Sequence, residues 1–281
     1  MQSRALPYLL LLPATVFLAA FFVWPFIQVA IEAFTSSGTL TLDHFRTMAN
    51  DWKFYPALRN TMLLALIIVP LQIALALSMA SLVTRMGAGR DVVLYIWTIP
   101  LGISDLAAGL VWLAILEKNG FLNSALQSLG FIAEPVTWLG YQNTVTLFVA
   151  VILAELWRST AIVMVILVAG MGLIPREYYE AAEVFGAGPW RRFVKVTLPL
   201  LKPSLQTALI LRTILAFEVF AVVAALAGTN LPILMGQTYE WQFALQDRNV
   251  AAALAFVTLV ISIAFTIFYL VALRTPDEAR T

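Results

Sequence analysis

The chain has 281 residues, 61% of them hydrophobic and 12% charged, with a mean hydropathy of +0.89. Soluble domains typically carry about 25% charged residues, so this composition excludes a water-facing globule and points to lipid as the solvent. The net charge of +1 gives no field to gather nucleic acid. The absence of cysteine removes disulfides, thiolate metal sites and thiol nucleophiles, and the single His44 leaves no histidine metal site or triad.

A transmembrane helix needs about 20 mostly apolar residues, and six windows meet that length. Residues 6–32 are uncharged as far as Glu32. Arg4 precedes a run too long for the apolar core of a signal peptide, so this run is expected to remain as a span. Residues 60–84 carry no charge, and residues 92–116 carry only Asp105. Residues 144–170 hold Glu155 and Arg158, residues 204–227 hold Arg212 and Glu218, and residues 249–273 hold none. The expected fold is an all-α integral membrane protein, one domain over residues 1–281 with six transmembrane helices. A soluble reading fails because no polar shell remains to cover six such helices.

The connections set the orientation. Arg4, Arg85, Arg90, Arg176, Arg191, Arg192, Lys195, Lys202, Arg274 and Arg280 fall on one side, against Arg46, Lys53, Arg59, Lys118 and Arg248 on the other. The positive-inside rule makes the first side cytoplasmic, with both termini on it. The external connections 35–58, 117–143 and 228–248 carry Trp52, Phe54, Tyr55, Trp138, Tyr141, Tyr239 and Trp241, as membrane interfaces do. Within them Gly120–Gly130 reads as a short interfacial helix.

The one long polar insertion is the cytoplasmic segment 175–203. Pro175 suits a helix start, and Glu177 and Glu180 suit its positive dipole end. Gly186 and Gly188 break that helix, and Pro189 can begin a second. Two short helices joined by a tight turn are expected. Ala181 and Ala182 leave one face with little bulk, open to close approach by another surface. Arg191, Arg192 and Lys195 can equally sit against lipid headgroups.

Glu180-Ala181-Ala182, three residues, Gly186, nine residues, then Val196-Thr197-Leu198-Pro199 resembles the EAA loop of ABC-importer permeases. Val196 stands where the family usually has Ile, and Phe185 where many of its sugar permeases have Asp. The resemblance is to carbohydrate-uptake permeases of the maltose and glycerol-phosphate type, in particular the first permease of such systems. Tyr8-Leu9-Leu10-Leu11-Leu12-Pro13-Ala14 with Pro25, Ala57-Leu58-Arg59-Asn60-Thr61 and Gly120-Phe121-Leu122-Asn123 all carry it. Gly228-Thr229-Asn230-Leu231-Pro232 replaces the family's common Gly-Gly-Pro loop.

The resemblance implies a type I importer bundle with cytoplasmic coupling helices. Glu180, Ala181, Ala182, Phe185, Gly186 and Pro199 would then couple to a separate ATPase. It further implies two ATP-binding-cassette subunits, a second homologous permease and an extracytoplasmic solute-binding protein, in a prokaryotic plasma membrane. No Gly-x4-Gly-Lys-Ser/Thr sequence occurs, so ATP and Mg belong to the partner and the chain itself needs no cofactor, no metal and no catalytic residue.

Ionised groups within a span cost about 2.5–3.5 kcal/mol each on insertion scales, so Asp105, Glu155, Arg158, Arg212 and Glu218 need a reason. They are either staples between helices or a polar solute site. Trp112, Trp157 and Phe217 could offer ring faces to a sugar. Superposing the loop motifs places Arg158, Ser159, Ile162, Arg212, Leu215, Ala216 and Val219 where maltose-type permeases line their sugar site. The expected function is import of a mono-, di- or oligosaccharide by alternating access, driven by the partner's ATP hydrolysis. The two arginines keep glycerol phosphate, a polyol or another small polar solute open. An integral membrane enzyme lacks a nucleophile or metal cluster beside its acids, and a proton-coupled carrier would not explain the coupling loop.

Overall fold

A computed structural model describes residues 6–273. Arg4, Arg274, Arg280 and both termini, used above for orientation, lie outside the described residues. Four helices are long and apolar enough to cross a membrane: α1 (Tyr8–Phe34), α3 (Phe54–Val83), α7 (Thr144–Gly172) and α13 (Arg248–Ala272). Between α1 and α3 lies α2 (Asp43–Asn50). The strands β1 (Thr35–Ser36) and β2 (Thr39–Leu40) form a small hairpin that qualifies the all-helical expectation. Ser37 and Gly38 both have positive φ there, the backbone that a two-residue hairpin turn requires.

Two windows read as single helices are broken. The 92–116 window splits into α4 (Arg90–Thr98, continued as a 3₁₀ turn over Ile99–Gly102) and α5 (Asp105–Leu116). The axis turns by 97° across the break. Pro100 and Gly102 stop α4, and Ser104 caps α5 by accepting a hydrogen bond from the Ala107 amide at 3.2 Å. Next comes α6 (Phe121–Ser128), within the predicted interfacial segment.

The 204–227 window likewise divides into α10 (Lys202–Phe217) and α11 (Ala221–Leu226). Neither glycine nor proline marks that break. Phe217 and Val219 are buried on either side of it while Glu218 turns outward. The polar insertion forms α8 (Arg176–Val184) and α9 (Pro189–Leu200), with Gly186 at φ +71° between them. A 70° bend at Leu201 then leads into α10. Finally α12 (Leu234–Tyr239) runs into a π-helical turn at Glu240–Ala244 before α13.

Prolines shape the long helices. A proline lacks an N–H and crowds the carbonyl four residues earlier, so the helix widens ahead of it. Pro25 follows a π turn at Ala19–Val23, and Pro199 follows one at Phe193–Thr197.

α3 and α7 are the central pair, joined by α10 and flanked by α5 and α11. One apolar cluster joins Leu64, Ile68, Leu147, Val151, Ala154 and Val222. A second joins Ala76, Ala80, Val163, Met164, Leu167 and Ala208. On α3 the gap between the clusters holds Gln72; on α7 it holds Glu155, Arg158 and Ser159. A polar layer therefore separates two apolar cores. Close backbone approach holds α5 on α11: a Cβ on Gly109 would lie 2.7 Å from that of Ala225.

Candidate functional site: a buried ion network and a basic loop

The polar layer draws on four helices. Arg158 stands fourteen residues from each end of α7, about 21 Å at 1.5 Å per residue, so it lies at half-depth. Its Nη1 donates to Asp105 Oδ1 at 2.8 Å, and its Nη2 to Glu155 Oε1 at 3.5 Å. Arg212 Nη2 crosses from α10 to Glu155 Oε2 at 2.5 Å. Ser159 Oγ, one turn from Glu155, donates to the same carboxylate oxygen at 3.3 Å. Two acids and two bases thus balance.

Gln72 completes the network. Its Oε1 accepts from Arg212 Nε, and its Nε2 donates to the Glu155 backbone carbonyl at 2.8 Å. Gln72 carries no charge and so escapes a survey of intramembrane charges; its signal is an amide in the middle of the apolar window 60–84, whose other amide, Asn60, stands at the end.

Burial divides the network. The Glu155 and Arg212 side chains are 0% and 1% exposed, while Arg158 is 15% and Asp105 49% exposed. Trp112, two turns on from Asp105 along α5, and Trp157, next to Arg158 in the chain, form a T-shaped pair with ring centres 6.4 Å apart. Trp157 shares an outward stripe of α7 with Val149, Leu153 and Val165.

The other residues named from the sequence are elsewhere. Ala216, Phe217 and Val219 are buried among apolar neighbours, and Phe217 lies 5.4 Å from the Phe265 ring. Ile162 and Leu215 are half-buried. Glu218 is exposed and joins no ion pair among the described residues.

Two of the quoted sequence signatures prove to be hydrogen-bonding knots. Asn123 is buried. Its amide donates to the carbonyls of Lys118 and Val136, and its oxygen accepts from the Val136 amide and Trp138 Nε1. Asn60 donates to the Pro232 carbonyl at 2.9 Å, and Thr61 accepts from the Leu234 amide at 2.9 Å. Together they tie the start of α3 to the loop ahead of α12.

On the insertion, Glu180, Ala181, Phe185, Gly186 and Pro199 are exposed and Ala182 half-buried. Phe185 and Val184 are each 86% exposed, an unusual display of apolar side chains on a polar hairpin. The hairpin is stiffened from within. Arg192 pairs with Glu183, and Tyr179 shares a hydrogen bond of 3.2 Å with Thr197. Trp190 stacks on Phe193 at 5.9 Å.

An apolar multi-helix bundle with a charge-balanced polar layer midway along its central helix and an internally braced hairpin fits a membrane transport component. Residues 72–274 match the family described as "Binding-protein-dependent transport system inner membrane component", and the chain belongs to that family. It is 33% identical to the sulfoquinovosyl glycerol transport system permease protein SmoG of Agrobacterium fabrum, over 98% of this chain and 92% of that one. It is 30% identical to the trehalose/maltose transport system permease protein MalF of Thermococcus litoralis, over 96% and 94% of the two chains. Its fold matches a chain of a bacterial ABC transporter for import of the acidic polysaccharide alginate, with a TM-score of 0.81 at 23% identity, covering 96% of this chain and 95% of that one. The chain is therefore a permease of a binding-protein-dependent ABC importer of the carbohydrate-uptake type. It is a multi-pass inner-membrane protein without catalysis of its own, working with a periplasmic binding protein and with ATPase subunits that bind ATP.

Proposed function

We propose that this permease passes a sugar, from mono- to oligosaccharide, across the membrane by alternating access. The observation that carries the reading is the open edge of the polar layer. Arg158 and Asp105 present hydrogen-bonding groups at half-depth beside the aromatic pair Trp112–Trp157. Sugars need both, hydroxyl partners and flat apolar faces. Relatives named for trehalose and maltose and for the sulfonated glycoside sulfoquinovosyl glycerol favour a sugar cargo, neutral in the first case and anionic in the second. The paired charges sum to zero, which counts against an anionic cargo such as glycerol phosphate.

In this reading the two parts of the network do different work. Glu155, Arg212, Gln72 and Ser159 hold α3, α7 and α10 together, and Asp105, Arg158, Trp112 and Trp157 meet the solute. The solute passes between this chain and a second, homologous permease lying against the outward stripe of α7. Ala216, Phe217 and Val219 are covered in this arrangement, as in part are Leu215 and, on α7, Ile162, and would reach the passage when α10 and α11 move against α7; Glu218 is already exposed. The hairpin at 175–203 takes up the ATPase stroke through Glu180, Ala181, Ala182, Phe185 and Gly186, with Pro199 setting the bend into the bundle. Clustering of Arg85, Arg90, Arg176 and Arg192 about one cavity beside the hairpin supports a cytoplasmic placement for that end, and with it cytoplasmic termini.

The test is reconstitution with the neighbouring permease, the ATPase and the binding protein, screened with sugars and with polyol phosphates. A sugar should stimulate ATP hydrolysis and be taken up, and Arg158→Ala should abolish uptake while the complex still assembles. Stimulation by polyol phosphates alone would overturn the sugar assignment.

A further inference from the structure

Four arginines converge on a cavity of about 540 Å³ between the hairpin and the bundle. Arg85 follows α3, Arg90 opens α4, Arg176 opens α8 and Arg192 lies on α9. Arg192 is taken by Glu183. Arg85, Arg90 and Arg176 are exposed and make no ion pair among the described residues. Arg90 and Arg176 each occupy the first turn of a helix, where backbone N–H groups favour an anion, but Asp91 and Glu177 share those turns, so the attraction rests on the three unpaired arginines together. Tyr179 and Thr197 supply hydroxyls to the same space.

A second groove adjoins this cavity. Arg90 and Gly172 line both, and the groove, of about 500 Å³, runs up the outside of the bundle between α4 and α7. Its walls are Leu94, Tyr95, Val165, Val168 and Ala169, with Asp91 beside Arg90 at its mouth and Thr98 further along α4. A cationic cradle at the membrane's edge adjoining a largely apolar groove along a spanning helix has the two-part chemistry of a phospholipid. Positive charge at an interface would satisfy the positive-inside rule anywhere; its place beside that groove is what selects a lipid here.

We infer that this permease binds an anionic phospholipid, with the phosphate among Arg85, Arg90 and Arg176 and an acyl chain in the α4–α7 groove. The lipid would brace the hairpin against the bundle, since Arg176 belongs to one and Arg85 and Arg90 to the other. This assignment does not depend on the cargo.

The experiment uses the whole importer complex, purified from mixed vesicles of phosphatidylcholine and phosphatidylglycerol, with retained lipid measured by native mass spectrometry. Wild type should retain phosphatidylglycerol selectively. The triple variant Arg85→Gln, Arg90→Gln, Arg176→Gln should retain it roughly 100-fold more weakly, as expected for three basic residues at a membrane surface. Arg191→Gln with Lys195→Gln, outside the cavity, should change nothing. Ala169→Phe leaves the arginines intact and fills the groove, so it should also lower retention. Inorganic phosphate at millimolar concentration should not displace the lipid. Equal retention by wild type and both cavity variants would overturn the inference. So would displacement by free phosphate, which would assign a soluble anion, or loss of the ATPase subunits from the triple variant with lipid unchanged, which would assign these arginines to docking.

Discussion

Replacing Glu155 by alanine isolates the staple half of the polar layer. Its carboxylate is fully buried and takes Arg212 at 2.5 Å, Ser159 at 3.3 Å and Arg158 at 3.5 Å. Without it, Arg212 remains 1% exposed with only the neutral Gln72 as a partner, and its Nη1 already lacks one. Removing one member of a buried ion pair costs about 3–5 kcal/mol, because the charge left behind has neither water nor a counter-ion. At about 2–4 °C per kcal/mol for a chain of this size, the melting temperature of the purified complex should fall by roughly 6–20 °C. Scanning fluorimetry in detergent reads this directly. Asp105→Asn is the control. That side chain is 49% exposed, so its pair with Arg158 should be worth only about 0–1 kcal/mol in stability. The double variant Glu155→Leu, Arg212→Met should recover much of the loss, since an apolar pair of similar volume needs no desolvation. If Glu155→Ala melts with the wild type, or Asp105→Asn proves the more damaging, the division into staple and solute edge is wrong.

The other consequences are simpler to read. Gly109→Val should separate α5 from α11, because even a Cβ at that position falls 2.7 Å from that of Ala225; a lower melting temperature and weaker expression are the checks. Ser104→Ala should cost about 0.5–2 kcal/mol by removing the cap on α5, and Ser104→Asp should restore most of it in the same melting assay. Trp157→Ala should reduce sugar uptake with little change in melting, since that ring is 38% exposed at the open edge. Glu180→Lys should uncouple uptake from ATP hydrolysis, and pull-down of the ATPase should show weaker association.

What could be read from the sequence was governed by local rules. Hydropathy marked the apolar windows, and Pro175, Gly186 and Pro189 marked the ends of α8 and α9, because chain-local energetics decide both. The break before α5 was legible too: Pro100, Gly102 and Ser104 spell a stop followed by a cap, but an average over a long apolar window hides three residues. The break at Glu218 has no local signature and rests on how Phe217 and Val219 are buried against other helices. The same holds for the site. Five intramembrane charges were visible as residues out of place in lipid, yet which of them meet is a matter of helix rotation. Only packing brought Asp105, Glu155, Arg158 and Arg212 into one layer and left Glu218 outside it.

Placing that layer between two apolar clusters has a mechanical consequence. Apolar side chains in a bundle can slide or repack with small losses, whereas a buried ion pair has few acceptable arrangements. The C-terminal half of α10 is joined to α3 and α7 through Arg212, so those three segments are constrained to move as one body. Among the described residues no ion pair ties Phe217, Glu218 or Val219 to a neighbouring helix, where α10 gives way to α11. Rocking driven from the hairpin would therefore reach the polar layer rigidly through α9 and α10 and find its first compliant point at residues 218–220. On the proposed route, a change of shape there would bring residues 217–219 toward the solute without dismantling the network that holds the bundle together.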